Sequence, residues 1–321
     1  MMRKVAVLTS GGDCSGMNAA IRAVVRTALA VDLDIVGVQK GYAGLVGGLF
    51  HPLTTRSVSG ILQRGGTILQ SARCPQMLEE YIQMRVVESL RQQGIDGLVV
   101  IGGDGSLRGA QALHQRGVRV IGIPASIDND ISCTDMSLGV DTALNNIRYA
   151  VDAVKDTASS HDRTFVVETM GRNCGYLAVV SAIACGAEFA LIPERPINLD
   201  ELCQLLRRRY EEGRDNSIVM VAEGAGKAEQ IAAHIKDRIG FETRIMVLGH
   251  YQRGGSPSTF DRLLAARFGV GALERLLAGH SGEMVALHCG GLNYVPFDEV
   301  FAAGRRPIDE TVLKLAKTLV N

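Results

Sequence analysis

The chain has 321 residues, 46% hydrophobic and 21% charged, which is the balance of a folded protein long enough for two cores. Lysine plus arginine and aspartate plus glutamate both total 34, so the formal net charge is zero and the basic excess of a general nucleic-acid binder is absent. Seven cysteines stand singly with no C-x-x-C pair, which argues against a zinc site or a disulfide framework and for a reducing compartment.

Taken in chain order, the opening MMRKVAVLTSGGD reads as a strand at 5–8 running into a loop, without the apolar stretch and cleavage site of a signal peptide. A helix at 17–30, a strand at 35–38, a helix at 80–93 and a strand at 97–101 follow. Next come a helix at 106–115, a strand at 118–123, a helix at 143–159, a strand at 165–168 and a helix at 175–185. Strands at 189–192, 218–222, 244–248 and 284–288 then alternate with helices at 199–212, 228–239 and 260–278. The basic run Arg207 to Arg209 falls in an amphipathic stretch with Glu211 and Glu212 and reads as a solvated helix face. No apolar run reaches about 18 residues, so no membrane span is expected. This alternation predicts an α/β fold of mainly parallel sheets covered by helices on both faces. In such sheets ligands sit at the carboxyl ends of strands, which makes the residues just after each run the informative ones.

Two glycine-rich turns follow strands. One runs Thr9-Ser10-Gly11-Gly12-Asp13 to Gly16-Met17-Asn18, and the other is Gly102-Gly103-Asp104-Gly105-Ser106. Glycines let backbone N–H groups reach phosphate oxygens, and a helix N-terminus adds a favourable dipole. A carboxylate among such amides is electrostatically wrong unless a cation lies between, so Asp104 points to Mg²⁺. The G-x-x-x-x-G-K-[ST] sequence is absent, and Gly103, Gly105 and Gly109 have the wrong spacing for a dinucleotide fingerprint. A third cluster, Pro124-Ala125-Ser126-Ile127-Asp128-Asn129-Asp130, offers two carboxylates two residues apart, against the alternative of an Asx turn. A fourth, Glu168 to Arg172 with Arg163 upstream, and a fifth, Gly249-His250-Tyr251-Gln252-Arg253-Gly254-Gly255 with Arg244 upstream, place arginines beyond strands, where their forks match phosphate.

These clusters, with RGGT, SAR, IDND, SSHDR, MGRNCG and LGHYQRGGSP, resemble the phosphofructokinase family, particularly its short bacterial ATP-dependent members, over essentially the whole chain. The resemblance implies phosphorylation of fructose 6-phosphate by ATP to fructose 1,6-bisphosphate, the committed step of glycolysis. It implies two Rossmann-like three-layer lobes with the active site in the cleft between them. The larger, ATP-binding lobe would use 1–138 and 251–301; the smaller, sugar-phosphate-binding lobe would use 139–250 and 302–321. Carried over by position, Asp128 is the general base, and Asp104 and Asp130 hold Mg²⁺. The Gly12 amide, Arg73, Ser126 and Arg172 steady the transferring group. Arg163, Arg244, His250 and Arg253 hold the 6-phosphate, with Arg163 and Arg244 donated by a neighbouring subunit. Met170, Gly171 and Glu223 touch the sugar, and ATP lies along Gly12, Arg73, Cys74, Gly103, Asp104, Gly105 and Ser106. The family expectation is a cytoplasmic homotetramer without nucleic-acid or membrane partners.

Gly105 and Ala125 stand where pyrophosphate-using relatives carry Asp and Lys, which favours ATP; Leu78 and Gln83 stand where arginines usually help hold the nucleotide. At the effector site Arg22, Arg26, Glu188 and Arg214 match. Thr55 and Lys155 replace arginines there and Glu212 a lysine, so weak or altered allosteric control is expected. The alternatives are the same fold using pyrophosphate or tagatose 6-phosphate, a catalytically idle regulatory subunit, and a nicotinamide-dependent oxidoreductase. Retention of Asp104, Asp128, Asp130, Arg73 and Arg172 counts against the idle subunit, and the missing G-x-G-x-x-G against the oxidoreductase.

Overall fold

In the computed structural model, residues 2–72, 74–159, 164–213, 216–240 and 242–320 are described. Arg73, Arg163 and Arg214, assigned roles above, lie outside them. The chain divides into two compact units, Met1–Thr142 with Arg253–Arg306, and Ala143–Gln252 with Pro307–Asn321.

The first unit opens with β1 (Lys4–Ser10), α1 (Met17–Leu29), β2 (Asp34–Val38), α2 (Gly41–Gly47), β3 (Phe50–Pro52), α3 (Glu80–Gln92), β4 (Gly97–Gly102), α4 (Asp104–Gln115) and β5 (Val120–Pro124). The chain passes into the second unit within α5 (Val140–Ser159). There follow β6 (Thr164–Thr169), α6 (Tyr176–Cys185), β7 (Phe189–Leu191), α7 (Leu199–Glu211), β8 (Ser217–Ala222), α8 (Ala228–Ile239) and β9 (Thr243–Val247). The chain returns to the first unit for α9 (Thr259–Leu277), β10 (Glu283–His288), β11 (Gly291–Pro296) and α10 (Phe297–Ala302), and ends in the second with α11 (Glu310–Leu319).

The first unit's sheet runs β11-β10-β5-β4-β1-β2-β3, parallel except for β3 and β11 at its ends. Its strands are apolar on both faces because both are covered. Ala6, Leu8, Val36, Leu98, Val100, Val120 and Met284 face one core with Val86, Leu90, Leu107, Leu113, Phe297 and Val300 from α3, α4 and α10. The intervening Val5, Val7, Val99 and Ile121 are equally buried and face the other way. In that other layer α1 meets α9, where a Cβ at Gly269 would stand 2.6 Å from the Cβ of Ala23.

The second unit's sheet, β7-β8-β6-β9, is wholly parallel. Val166, Val219 and Val221 pack with Leu202, Leu206, Ile231 and Ile235 of α7 and α8. Ala222 packs with Ala178, Val179 and Leu313 of α6 and α11. Both units are therefore three-layered, as the two Rossmann-like lobes implied by the resemblance require, with the mainly parallel sheets that the alternation predicted. Among the described residues no helix is long and apolar enough to cross a membrane.

Several elements escape the sequence reading. The β10–β11 hairpin turns on Cys289 (φ 48) and Gly290 (φ 78), both left-handed as a two-residue primed turn requires, with a cysteine where Asn or Asp would have signalled it. At α11, Asp309 caps the helix by accepting from the Thr311 N–H at 2.7 Å.

Candidate active site

In the first unit three loops leave the carboxyl ends of adjacent strands. Ser10 of β1 is in register with Gly102 of β4, and Gly102 with Pro124 of β5. The approach is close: a Cβ at Gly102 would stand 2.5 Å from the Ser10 carbonyl oxygen and 2.6 Å from the Ser106 Cβ. Gly103 lies over the start of the third loop, 3.7 Å from the Ala125 carbonyl oxygen by the same measure. Gly12, the stretch Gly103, Asp104, Gly105 and Ser106, and the stretch Ser126, Asp128 and Asp130 are thus gathered at one edge of one sheet. Asp104, Gly105 and Ser106 form the first turn of α4, whose amides suit an anion.

Around Gly12 the loop is pinned from two sides. Ser71 donates its hydroxyl to the Gly11 carbonyl at 2.5 Å, and Arg253 Nη1 donates to the Asp13 carbonyl at 2.9 Å. Ser15 holds the 253–255 loop, donating to the carbonyls of Gly254 at 3.1 Å and Gly255 at 2.9 Å. The Cys14 thiol, raised by burial first, also feels Asp261, Arg253, Asp13 and Asp128, so the candidate base and the candidate phosphate ligand share one electrostatic neighbourhood.

Asp128 is buried, 4% exposed, in a loop clamped by its neighbour Asn129. Asn129, itself at φ 50, accepts from the Ser137 N–H at 3.1 Å and donates to the Asp135 carbonyl at 3.4 Å. These bonds span six and eight residues, longer than the local Asx turn offered as the alternative. Ser126 donates to Asp130 Oδ1 at 3.3 Å, and Asp130 Oδ2 lies 3.7 Å from Arg305 Nε. Asp104 Oδ2 accepts from Arg108 Nε at 2.9 Å, and the Arg108 guanidinium lies 4.3 Å from the centre of the Phe301 ring. Neither Arg108 nor Arg305 has a role in the sequence reading. The i,i+4 spacing of Asp104 and Arg108 is a visible signal; Arg305 carries none.

Cys74 precedes a short 3₁₀ turn at Pro75–Leu78, with its thiol pushed up by burial. Gln83 is buried: its amide donates to the Met77 carbonyl at 2.8 Å, and its oxygen accepts from Arg116 Nε at 2.7 Å. A Cβ on Gly105 would meet nothing within 4 Å, whereas Ala125 is only 2% exposed. Of the two small residues taken to favour ATP, Gly105 alone borders open space.

In the second unit the ends of β8, β6 and β9 form a comparable edge. Gly171 (φ 134) turns so tightly that a Cβ would strike the Cys174 carbonyl, and only glycine suits it. Glu223 Oε1 accepts from the Arg172 N–H at 2.8 Å, while the Glu223 N–H donates to the Thr169 carbonyl at 2.9 Å. Gln252, buried and unassigned in the sequence reading, accepts from the Met170 N–H at 3.2 Å and donates to the Gly249 carbonyl at 3.0 Å. It ties the turn bearing Met170, Gly171 and Arg172 to the turn bearing His250. Arg172 and His250 are exposed. Arg244 does not join them: it is exposed near the opening end of β9, paired with Glu242 at 2.5 Å and roughly 13 Å of strand before Leu248.

The effector candidates fall on both units. Arg22 is half-buried and Arg26 exposed on α1 in the first unit. In the second unit Lys155 Nζ bonds the carbonyls of Cys185 and, at 3.2 Å, Gly186. Glu188 accepts from the Ile218 N–H at 2.6 Å and lies 3.7 Å from Arg209.

Comparisons with known proteins show the family. The family model described as Phosphofructokinase matches residues 4–276. A Thermotoga neapolitana protein named ATP-dependent 6-phosphofructokinase is 48% identical over 319 residues, covering 99% of this chain and all of that one. A Bacillus cereus protein of the same name is 47% identical, covering 99% of both. Among solved structures, Pichia pastoris phosphofructokinase in the T-state superposes with a TM-score of 0.90 at 36% identity, covering this chain fully while this chain spans 37% of its length. The chain belongs to the phosphofructokinase family.

Proposed function

We propose that the chain transfers the γ-phosphoryl group of ATP to the 1-hydroxyl of fructose 6-phosphate, giving fructose 1,6-bisphosphate and ADP. The observation that carries this is the convergence of the Gly12, Gly103 and Ser126 loops on adjacent β1, β4 and β5, placing a glycine cradle and three aspartates at one sheet edge. Asp128 takes the proton of the 1-hydroxyl as its oxygen forms the new bond to phosphorus and the bond to the ADP oxygen breaks. Ser126, the Gly12 amide, Arg73 and Arg172 steady the charge that spreads over the transferring group. His250, Arg253, Arg163 and Arg244 hold the sugar's 6-phosphate, and Met170, Gly171 and Glu223 its hydroxyls. The first unit is then the nucleotide-binding lobe and the second the sugar-phosphate lobe. Open space at Gly105 supports a nucleotide as donor.

The donor set suits Mg²⁺. Asp104 and Asp130 offer carboxylate oxygens beside a hydroxyl, Ser126, and Mg²⁺ uses one or two carboxylates while keeping waters and substrate oxygens. Among the described residues no group of three or more His, Cys, Asp or Glu is assembled for a metal, which fits a cation carried in with phosphates better than a dedicated cage. When bound, Mg²⁺ would neutralise the β- and γ-phosphate oxygens.

The working unit in this reading is a homo-oligomer, a tetramer by family, in the cytoplasm. β9 is the outer strand of its sheet and exposes Ile245 (44%) and Val247 (51%) beside an apolar groove of about 500 Å³ lined by Tyr149, Phe165, Met246, Leu248 and Tyr251. Such an edge calls for a cover. A second copy supplies it and explains Arg244, which its own chain holds away from the His250 turn.

The deciding experiment is formation of fructose 1,6-bisphosphate from fructose 6-phosphate with Mg²⁺ and either ATP or pyrophosphate. Turnover with ATP is expected. Turnover with pyrophosphate alone overturns the donor assignment; none with either, from folded oligomer, points to tagatose 6-phosphate or a regulatory subunit.

A further inference from the structure

The turn between β10 and β11 brings a thiol, an imidazole and a carboxylate together. Cys289 Sγ lies 3.7 Å from His288 Nε2, and His288 Nδ1 lies 3.6 Å from Asp135 Oδ1. The two ring nitrogens thus face a nucleophile on one side and an anion on the other. Asp135 is itself fixed: its Oδ2 accepts from the Cys289 N–H at 2.8 Å, and its own N–H donates to the Leu287 carbonyl at 2.8 Å. All three residues are exposed. Two further cations bond the same turn. Arg267 Nη2 donates to the Gly290 carbonyl at 2.7 Å, and Arg306 Nη1 to the Asp135 carbonyl at 2.6 Å. A Cβ on Gly290 would meet nothing within 4 Å, so open space adjoins the thiol. None of these groups has a part in the proposed phosphoryl transfer. Of the other cysteines, Cys14, Cys174, Cys185 and Cys203 are buried and Cys74 is half-buried, which leaves Cys133 as the second exposed thiol. Its surroundings differ: partial burial first, and then Glu299, push the Cys133 thiol up.

We propose that Cys289, His288 and Asp135 form a thiol–disulfide exchange site that takes a small disulfide bearing carboxylates. Asp135 favours the proton on Nδ1, which leaves Nε2 to accept the proton of the thiol. Sγ then attacks one sulfur of the disulfide. A new S–S bond forms to Cys289, the S–S bond of the small molecule breaks, and the departing thiolate takes up the proton held by His288. One disulfide is consumed and one free thiol released, so the protein gains a mixed disulfide without any further oxidant. A second molecule of that thiol reverses the step. Arg267 and Arg306 set two positive charges beside the turn against the one carboxylate of Asp135, which draws an anionic disulfide in preference to a neutral one. The site stands independently of the phosphoryl-transfer reading, since its groups and chemistry are separate.

The test is the rate of mixed-disulfide formation on the full chain at pH 7, followed by mass spectrometry of the intact protein and of its peptides. Glutathione disulfide is the anionic probe and 2-hydroxyethyl disulfide the neutral one. Wild type is expected to take glutathione on Cys289 roughly tenfold faster than on Cys133, the worth of a modest general base. His288→Gln should bring Cys289 down to the rate of Cys133 and leave Cys133 unchanged; His288→Leu is the second variant should the first fold poorly. Cys133 is the control within each protein, because a loosened fold would speed both thiols and a lost base slows one. Asp135→Asn keeps an acceptor for the Cys289 N–H and should slow Cys289 through His288 alone. Arg267→Gln should slow the anionic probe and not the neutral one. Cys289 reacting no faster than Cys133, or as fast in both His288 variants as in wild type, overturns the inference. Equal rates with the two probes overturn the assignment to an anionic disulfide.

Discussion

Arg253 Nη1 donates to the main-chain carbonyl of Asp13 at 2.9 Å and lies where a Cβ on Gly12 would stand, 2.5 Å away. A residue proposed to hold the sugar's 6-phosphate therefore also braces the loop proposed to hold the transferring phosphoryl group. Arg253→Lys is expected to raise the KM for fructose 6-phosphate at least tenfold and to lower kcat as well, since lysine cannot fork between a phosphate and the Asp13 carbonyl. Steady-state kinetics with saturating ATP measures both; a rise in KM with kcat unchanged would mean that the brace has no catalytic effect.

The loop that carries Asp128 is fixed by Asn129 and Ser137: the Asn129 side chain accepts from the Ser137 N–H at 3.1 Å, and the Ser137 hydroxyl donates to the Ser126 carbonyl at 2.7 Å. Neither bond uses the Asp128 carboxylate. Asp128→Asn should therefore keep the fold and the KM values, and lose roughly 10²–10⁴-fold in kcat, the worth of a well-placed base. Turnover within a few-fold of wild type at an unchanged melting temperature would remove Asp128 from the mechanism.

The strand-end loops were legible because their signals are local: glycine and carboxylate fall within a few residues, directly after an apolar run. The parallel sheets were legible for the same reason. What remained hidden depends on partners distant in sequence. Gln83 meets Arg116 across 33 residues. Arg108 meets Phe301 from a helix, α10, that the periodicity did not reveal. The short α2 is glycine-rich and offers no apolar period; a Cβ at Gly44 would collide with the Gln39 carbonyl, so its composition reports backbone contact rather than helix propensity. Arg244 was named through the resemblance as a residue donated by a neighbouring subunit, and its own chain pairs it with Glu242 instead of bringing it to the His250 turn.

Gln83 stood as a lost nucleotide-binding arginine, yet the fold uses it otherwise. Buried and bonded to Met77 and Arg116, it anchors the 3₁₀ turn after Cys74 onto α3. Gln83→Arg should not restore tighter ATP binding. It would bring a second guanidinium against Arg116 and leave the Met77 carbonyl poorly matched, at a cost of about 1–3 kcal/mol. A lower melting temperature with no fall in the KM for ATP is the expected pair of results; a tenfold drop in that KM would show the side chain can turn to the nucleotide.

Asp261 is a fully buried acid of the first unit. Its carboxylate accepts from the Gly139 N–H at 2.9 Å, the Thr142 N–H at 2.8 Å and the Thr142 hydroxyl at 2.5 Å. Desolvation nonetheless outweighs these bonds and pushes its pKa up to about 6 from the usual 3.8. An acid with a raised folded-state pKa binds protons more readily folded than unfolded. The stability it contributes is fully present below about 3.8 and is lost as pH rises through about 6. This term alone changes stability by about 3 kcal/mol across that window. Asp261→Asn must turn an NH₂ toward one of the three donors and should lower the melting temperature at pH 7. The difference between mutant and wild type should widen as the pH falls to 4, as the wild type gains this term. Parallel melting curves for the two proteins over pH 4–7 would show that Asp261 does not titrate there.

Lys155 and Glu188 are the effector candidates whose contacts are described in the second unit. Lys155 bonds the terminal carbonyls of α6, at the negative end of the helix dipole, and Glu188 is engaged by the Ile218 N–H and by Arg209. An anionic effector must compete with those carbonyls for the ammonium group. Even when freed, a lysine meets a phosphate as a point charge rather than a fork. A cation bound to Glu188 would likewise have to displace Arg209. The site should respond weakly: ADP at millimolar concentration is expected to leave the fructose 6-phosphate saturation curve nearly unmoved. Lys155→Arg supplies the missing fork and is expected to restore a leftward shift. A sigmoidal wild-type curve that ADP moves strongly to the left would mean that the Lys155 contacts yield readily to a ligand, and that the departures at Thr55, Lys155 and Glu212 do not weaken control.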